Sequence, residues 1–144
     1  MRKEYKAYKK VGKLKKSIGE LLKLEFPDYV YISPGVIKHI KKRHGKQLTK
    51  KIKDNIIEVI EDIIKEPYYA GIAKKNDGRK SIELIKRVDN IILLLGLDMD
   101  IPDKYIYVAT LYPITSCKLR GKLFNNRLIV LCSDELNEQV QICN

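Results

Sequence analysis

Only two histidines occur in this chain, His39 and His44, and both lie in the cation-rich stretch Lys38-His39-Ile40-Lys41-Lys42-Arg43-His44. Imidazole exchanges a proton near neutrality, so either ring can take one from a ribose 2′-hydroxyl or return one to a departing 5′-oxygen. On a helix turning about 100° per residue, His44 falls on the side of Val36, Ile37 and Ile40, at the rim of an apolar face, while His39 lies near Arg43 on the flank. A helix-end histidine held beside the negative pole of the helix dipole would leave the same pattern. A second set is Thr110-Leu111-Tyr112. Alternation along a strand turns both hydroxyls to one side, where they can donate to a phosphate oxygen, although both residue types are also common in strands for reasons of propensity. The third set is Arg79-Lys80-Ser81, with Lys86 and Arg87 further on. These cations can stabilise the charge of a pentavalent phosphorane, or simply solvate a turn.

Other chemistries lack their parts. No Walker motif, GxGxxG or HExxH is present, which removes support for nucleotide hydrolysis, Rossmann redox chemistry and zinc proteolysis. A two-metal nuclease needs converging carboxylates, whereas Glu58, Glu61 and Asp62 fall on the outer side of one helix. Cys117, Cys132 and Cys143 are odd in number and lack CxxC spacing, so they read as reduced thiols, and neither metal nor cofactor is expected. Metal-free transphosphorylation of RNA survives, because it needs only a base, an acid, and cationic or hydroxyl donors around phosphorus.

The elements that must hold these groups follow from periodicity. Leu14, Ile18, Leu21 and Leu22 recur at helical spacing from Val11, predicting an amphipathic first helix that ends before Pro27. Asp28 to Ile32 reads as a short strand or extended approach. Ser33 as N-cap, Pro34 in the first turn and Gly45 as a stop bound a second helix over Pro34 to His44. Leu48, Ile52, Ile56, Val59, Ile60, Ile63 and Ile64 form the stripe of a third helix, Leu48 to Lys65. Four strand-like runs follow: Tyr68 to Ala73, Ser81 to Arg87, Ile91 to Leu97 and Tyr105 to Leu111. Asn76-Asp77-Gly78 and Asp89-Asn90 are hairpin-type connections, and Pro102 breaks the chain before the fourth run. Ile91-Ile92-Leu93-Leu94-Leu95 is apolar on both faces, as a central strand covered by helix should be. Leu128 to Leu131 can add a last element. The expectation is an α+β fold, N-terminal helices packed on a four- to five-stranded antiparallel sheet, with one domain over 11–132, a basic arm over 1–16 and a loose tail over 133–144.

The arm carries eight cations against Glu4, and the whole chain has 29 Lys and Arg against 18 Asp and Glu, a net charge of +11 in 144 residues. That excess calls for an anionic partner, and nucleic acid gains most by releasing condensed counterions. No apolar run has signal-peptide or transmembrane length, so a cytoplasmic chain with no membrane partner is expected.

The order of parts, a helix with histidine, a long helix, then four antiparallel strands with Thr-x-Tyr on the last, resembles the superfamily that groups barnase, the EndoU endonucleases, colicin-type tRNases and RelE toxins. Tyr31-Ile32-Ser33-Pro34-Gly35-Val36 through His39 and His44 resembles its phage-associated nuclease domains in particular. The resemblance covers about residues 29–131. It implies a compact nuclease acting on RNA without a metal, often in conflicts between phages, plasmids and bacteria. It implies His44 as the catalytic histidine, with His39 on the same helix, and Thr110 and Tyr112 as the pair that holds the scissile phosphate. EndoU-like members set a second histidine and a lysine on the sheet side, where this chain has only Arg79, Lys80, Lys86 and Arg87, so a single-histidine mechanism and a degenerate site both stay open. The leading expectation is an endoribonuclease, tRNA-directed and toxin-like, that leaves a 2′,3′-cyclic phosphate. Lys38, Arg43, Arg79, Lys80, Ser81 and Arg87 would bind the substrate, and an acidic immunity or antitoxin protein would neutralise the activity. Two alternatives use the same charge: a non-catalytic nucleic-acid-binding module that stacks bases on some of nine tyrosines, and an interaction protein that docks its lysine-rich arm on an acidic protein.

Overall fold

The computed structural model of the chain describes residues 7–27, 29–74, 79–100, 104–125 and 127–131. In chain order its elements are β1 (Lys9–Lys13), α1 (Lys16–Leu22), β2 (Tyr29–Ile32), α2 (Val36–His44), α3 (Lys50–Asp54), α4 (Ile56–Lys65), β3 (Tyr69–Lys74), β4 (Lys80–Val88), β5 (Ile91–Asp100), β6 (Tyr105–Ile114), α5 (Ser116–Phe124) and β7 (Leu128–Val130). A 3₁₀ turn, Gly45–Gln47, follows α2.

The doubly apolar run is central, as expected. Leu93, Leu95 and Leu97 of β5 point into a core shared with α4, while Ile92 and Leu94 point into a second cluster with Leu119 of α5. The α4 stripe of Ile56, Val59, Ile60, Ile63 and Ile64 is buried against the first side. The β4–β5 hairpin closes through Asp89 and Asn90, both at positive φ (49° and 66°), the backbone that a two-residue turn between right-twisted strands demands. Asn76-Asp77-Gly78, Pro102, the arm before Ala7 and the tail from Ser133 lie outside the described residues.

The sheet is larger than expected and not purely antiparallel. Among the described residues seven strands run in the order β1-β2-β6-β5-β4-β3-β7. β2 pairs in parallel with β6, Val30 opposite Ile106 and Tyr31 opposite Tyr107, and the other pairs are antiparallel. β1 occupies part of the stretch expected to be arm and helix. Its one buried residue is Val11, so it has no inward period to read. The third helix is two, because Asn55 leaves helical backbone (φ −132°, ψ 37°) and its side-chain amide donates to the Lys51 carbonyl at 2.8 Å, closing α3. α2 starts later than expected, with Gly35 rather than Ser33 as its N-cap, and Gly45 stays in the right-handed helical region (φ −58°, ψ −33°), so the chain turns on into the 3₁₀ segment instead of stopping. α5 was not anticipated; Thr115 caps it by accepting from the Lys118 N–H at 3.1 Å.

Candidate active site

β6 carries the hydroxyl pair, and a bulge sets its aim. Leu97 faces Val108 and Gly96 faces Thr110, so Ala109 is an extra residue in β6. The bulge shifts the alternation: Ile106, Val108 and Leu111 all enter the main core, leaving Tyr107, Thr110 and Tyr112 on the opposite side, the one α5 packs on. Thr110 is seated closely. A Cβ on Gly96 would meet the Thr110 methyl carbon at 3.0 Å, so a larger residue there would press on this threonine.

α2 brings the histidine. It follows β2 and packs against β6, Val36 and Ile40 entering the core, and its last turn delivers His44 to Tyr112. The two rings stack, with centroids 5.2 Å apart and planes 28° from parallel. Nδ1 of His44 lies 3.2 Å from Oε1 of Gln47 in the 3₁₀ turn. An amide oxygen only accepts, so the contact is a hydrogen bond in the tautomer that carries its proton on Nδ1, and that tautomer leaves Nε2 to act as base. The Tyr112 hydroxyl is held above its ordinary pKa by burial first and by the Glu83 carboxylate second, which keeps it a donor.

Three further residues complete the surroundings, and sequence reasoning missed all three. Glu83 and Lys122 form an ion pair at 2.9 Å, each side chain 14% exposed. Lys118 lies over the Tyr112 ring, its Nζ 5.8 Å from the centroid. The available signals were weak: Glu83 alternates with Ser81 and Ile85, and Lys118 and Lys122 stand four apart behind a Thr115 cap.

The remaining expected residues do not gather here. Lys86 is on the main-core side, its Nζ 3.1 Å from both carboxylate oxygens of Asp62. Arg87 donates to Asn90 Oδ1 at 2.7 Å, in the hairpin turn. Arg79 and Lys80 are exposed at the start of β4, where buried Ser81 faces Asp98. Lys38 and Arg43 are exposed on α2. His39 is separate from His44: with Tyr8, Ser33, Asp98 and Tyr107 it lines an open hollow of about 340 Å³. Cys117 is disulfide-bonded, which corrects the reduced-thiol expectation for that residue; its partner lies outside the described residues. Among the described residues no three His, Cys, Asp or Glu could together hold a metal ion, and no helix is long and apolar enough to cross a membrane.

Comparison with curated proteins and with solved structures gives no significant match. The family described as phage-Barnase-EndoU-ColicinE5/D-RelE like nuclease3 matches residues 9–120, more than three quarters of the chain, and the match spans His44, Glu83, Thr110, Tyr112 and Lys118. The chain therefore belongs to this phage-associated family and is a nuclease of the barnase, EndoU and colicin kind.

Proposed function

We propose that this nuclease is a metal-independent endoribonuclease. His44 Nε2 takes the proton from a ribose 2′-hydroxyl, the 2′-oxygen bonds to the adjacent phosphorus, and the P–O5′ bond breaks as the departing 5′-oxygen takes a proton from the His44 imidazolium, which returns the ring to its neutral form. A 2′,3′-cyclic phosphate and a 5′-hydroxyl result. Thr110 and Tyr112 donate to the non-bridging oxygens, and Lys118 supplies the nearby positive charge for the phosphorane. The observation that carries this reading is the stack of His44 on the tyrosine of the Thr-x-Tyr pair. Lys118 replaces Lys86 and Arg87 as the preferred cation, because those two are engaged elsewhere.

Transfer RNA, an abundant structured RNA of the cytoplasm, is the first substrate to try. An RNA cut at a mapped step, resynthesised with a single 2′-deoxynucleotide before that step, should resist cleavage there, and the normal product should carry a cyclic phosphate by mass spectrometry. Cleavage through the deoxy position would rule out 2′-hydroxyl attack. The charge of +11 also fits a toxin-like nuclease held in check by an acidic antitoxin or immunity protein. Production of the untagged chain in bacteria should then slow growth, and that of His44→Ala should not. Unimpaired growth with RNA-cleaving protein accumulating would sink the toxin reading.

A further inference from the structure

We infer that the cationic stretch running from α2 into α3 is a separate site for the backbone of base-paired nucleic acid, and that the nuclease takes its scissile strand from beside a stem. The first half stands by itself; the second, that the paired segment belongs to an RNA being cut, rests on the ribonuclease reading.

From Lys38 to Lys53 the sequence sets eight Lys and Arg and no acid. All are exposed except Lys53, which is partly buried. Of the eight, only Lys51 has an ion-pair partner among the described residues, Asp89 at 3.5 Å. Lys41, Lys42 and Arg43 end α2, where the negative end of the helix dipole favours cations. That account does not extend to Lys50 and Lys51, which open α3, at the end where positive charge is disfavoured. Lys38 repels Lys41 and Lys42 at spacings of three and four residues, and Lys50 repels Lys53 in the same way. Core packing asks for none of this charge, since Ile40 and Ile52 make the burial of the two helices. The fold thus holds charge of one sign against its own repulsion, which an anionic partner relieves.

The missing residue types decide the form of that partner. No Phe, Tyr or Trp occurs from Val36 to Asp54. Single strands are held by stacking their bases on such rings, so this surface lacks what a single strand needs. A duplex stacks its bases internally and offers phosphates, which Lys and Arg bind with release of counterions. The stretch also adjoins the reacting group. Lys46 follows His44 by two residues, and Cδ of Lys53 lies 3.7 Å from the place a Cβ on Gly45 would take. The turn between the helices is pinned: Leu48 is 5% exposed, and its N–H donates to the Gly45 carbonyl at 3.3 Å. A stem lying on the lysines therefore reaches His44, and the unpaired strand leaving it passes to Tyr112 on the sheet.

The test measures binding first. Fluorescent 2′-O-methyl RNAs, which lack the attacking hydroxyl, are titrated with the full chain; one is a hairpin with a full helical turn of stem and the other an unpaired strand of the same length. The triple variant Lys42→Gln/Lys46→Gln/Lys50→Gln should bind the hairpin about tenfold or more weakly, with a salt slope lower by about two to three, and the unpaired strand within roughly twofold of the wild type. Retained binding of the unpaired strand also shows that the variant is folded. Equal loss for both RNAs would overturn the site, as would no loss for either, which would leave this surface to an acidic protein. With ordinary RNA, cuts should fall beside the stem of the hairpin; cutting of the unpaired strand at the same rate would overturn the second half. Hairpin-selective loss of binding in a protein that cuts no RNA would uphold the site and remove the ribonuclease reading instead.

Discussion

Stacking fixes the His44 and Tyr112 rings in one geometry, but only the hydroxyl of Tyr112 can donate to a phosphate oxygen, so the two contributions can be separated. Tyr112→Phe retains the ring and removes the donor, and should lower kcat roughly a hundredfold in a single-turnover assay, with RNA binding little changed. Glu83 has a different role. Glu83→Ala would leave the ammonium of Lys122, 14% exposed, without its partner, and should cost about 1–3 kcal/mol in urea unfolding. Lys86→Met provides the contrast: it takes away a cation bound to Asp62 on the far side of the sheet, so cleavage should persist. His44 and the Thr110–Tyr112 pair were legible in the sequence because histidine is rare here and strand alternation is local. Glu83 and Lys118 were not, because a charge on a strand or helix reads as a solvated face until register brings it beside a tyrosine.

At the scale of elements, close backbone approaches and turn geometry carry the testable content. A Cβ on Gly71 of β3 would collide with the Arg127 carbonyl and Leu128 of the chain entering β7. Gly71→Ala should therefore cost about 1–3 kcal/mol and loosen β7, which hydrogen-exchange at Leu128 to Val130 can report. Asp89-Asn90→Ala-Ala forces two residues with poor left-handed propensity into positive φ and should lower stability by about 1–2 kcal/mol or more, whereas Asn90→Gly keeps the turn. Elements with long apolar periods were readable in advance, as with the α4 stripe and the β5 run. The parallel pairing of β2 with β6 was not, because nothing in four residues of β2 records a partner more than seventy residues away. Nor was α5, since Leu119 is its one buried residue and gives no helical stripe.

For the whole molecule, charge and tyrosine burial govern the response to solution conditions. With +11 on the chain, the logarithm of RNA affinity should fall linearly with that of salt, and Lys38→Ala or Arg43→Ala should each flatten the slope by up to about one phosphate contact. Tyr107 and Tyr112 both hold their protons more tightly folded than unfolded. Their contribution is complete below the ordinary tyrosine value of about 10 and is lost as pH rises through the higher folded values. The melting temperature should consequently drop on the alkaline side, and less steeply for the Tyr107→Phe/Tyr112→Phe double variant; parallel curves would contradict that cause. The most direct test of the central claim is single-turnover cleavage of end-labelled tRNA in excess EDTA by the wild type and by His44→Ala. The account predicts discrete fragments from the wild type and a loss of roughly a hundredfold or more in the variant. Undiminished cleavage by folded His44→Ala, or cleavage that EDTA abolishes, would contradict it.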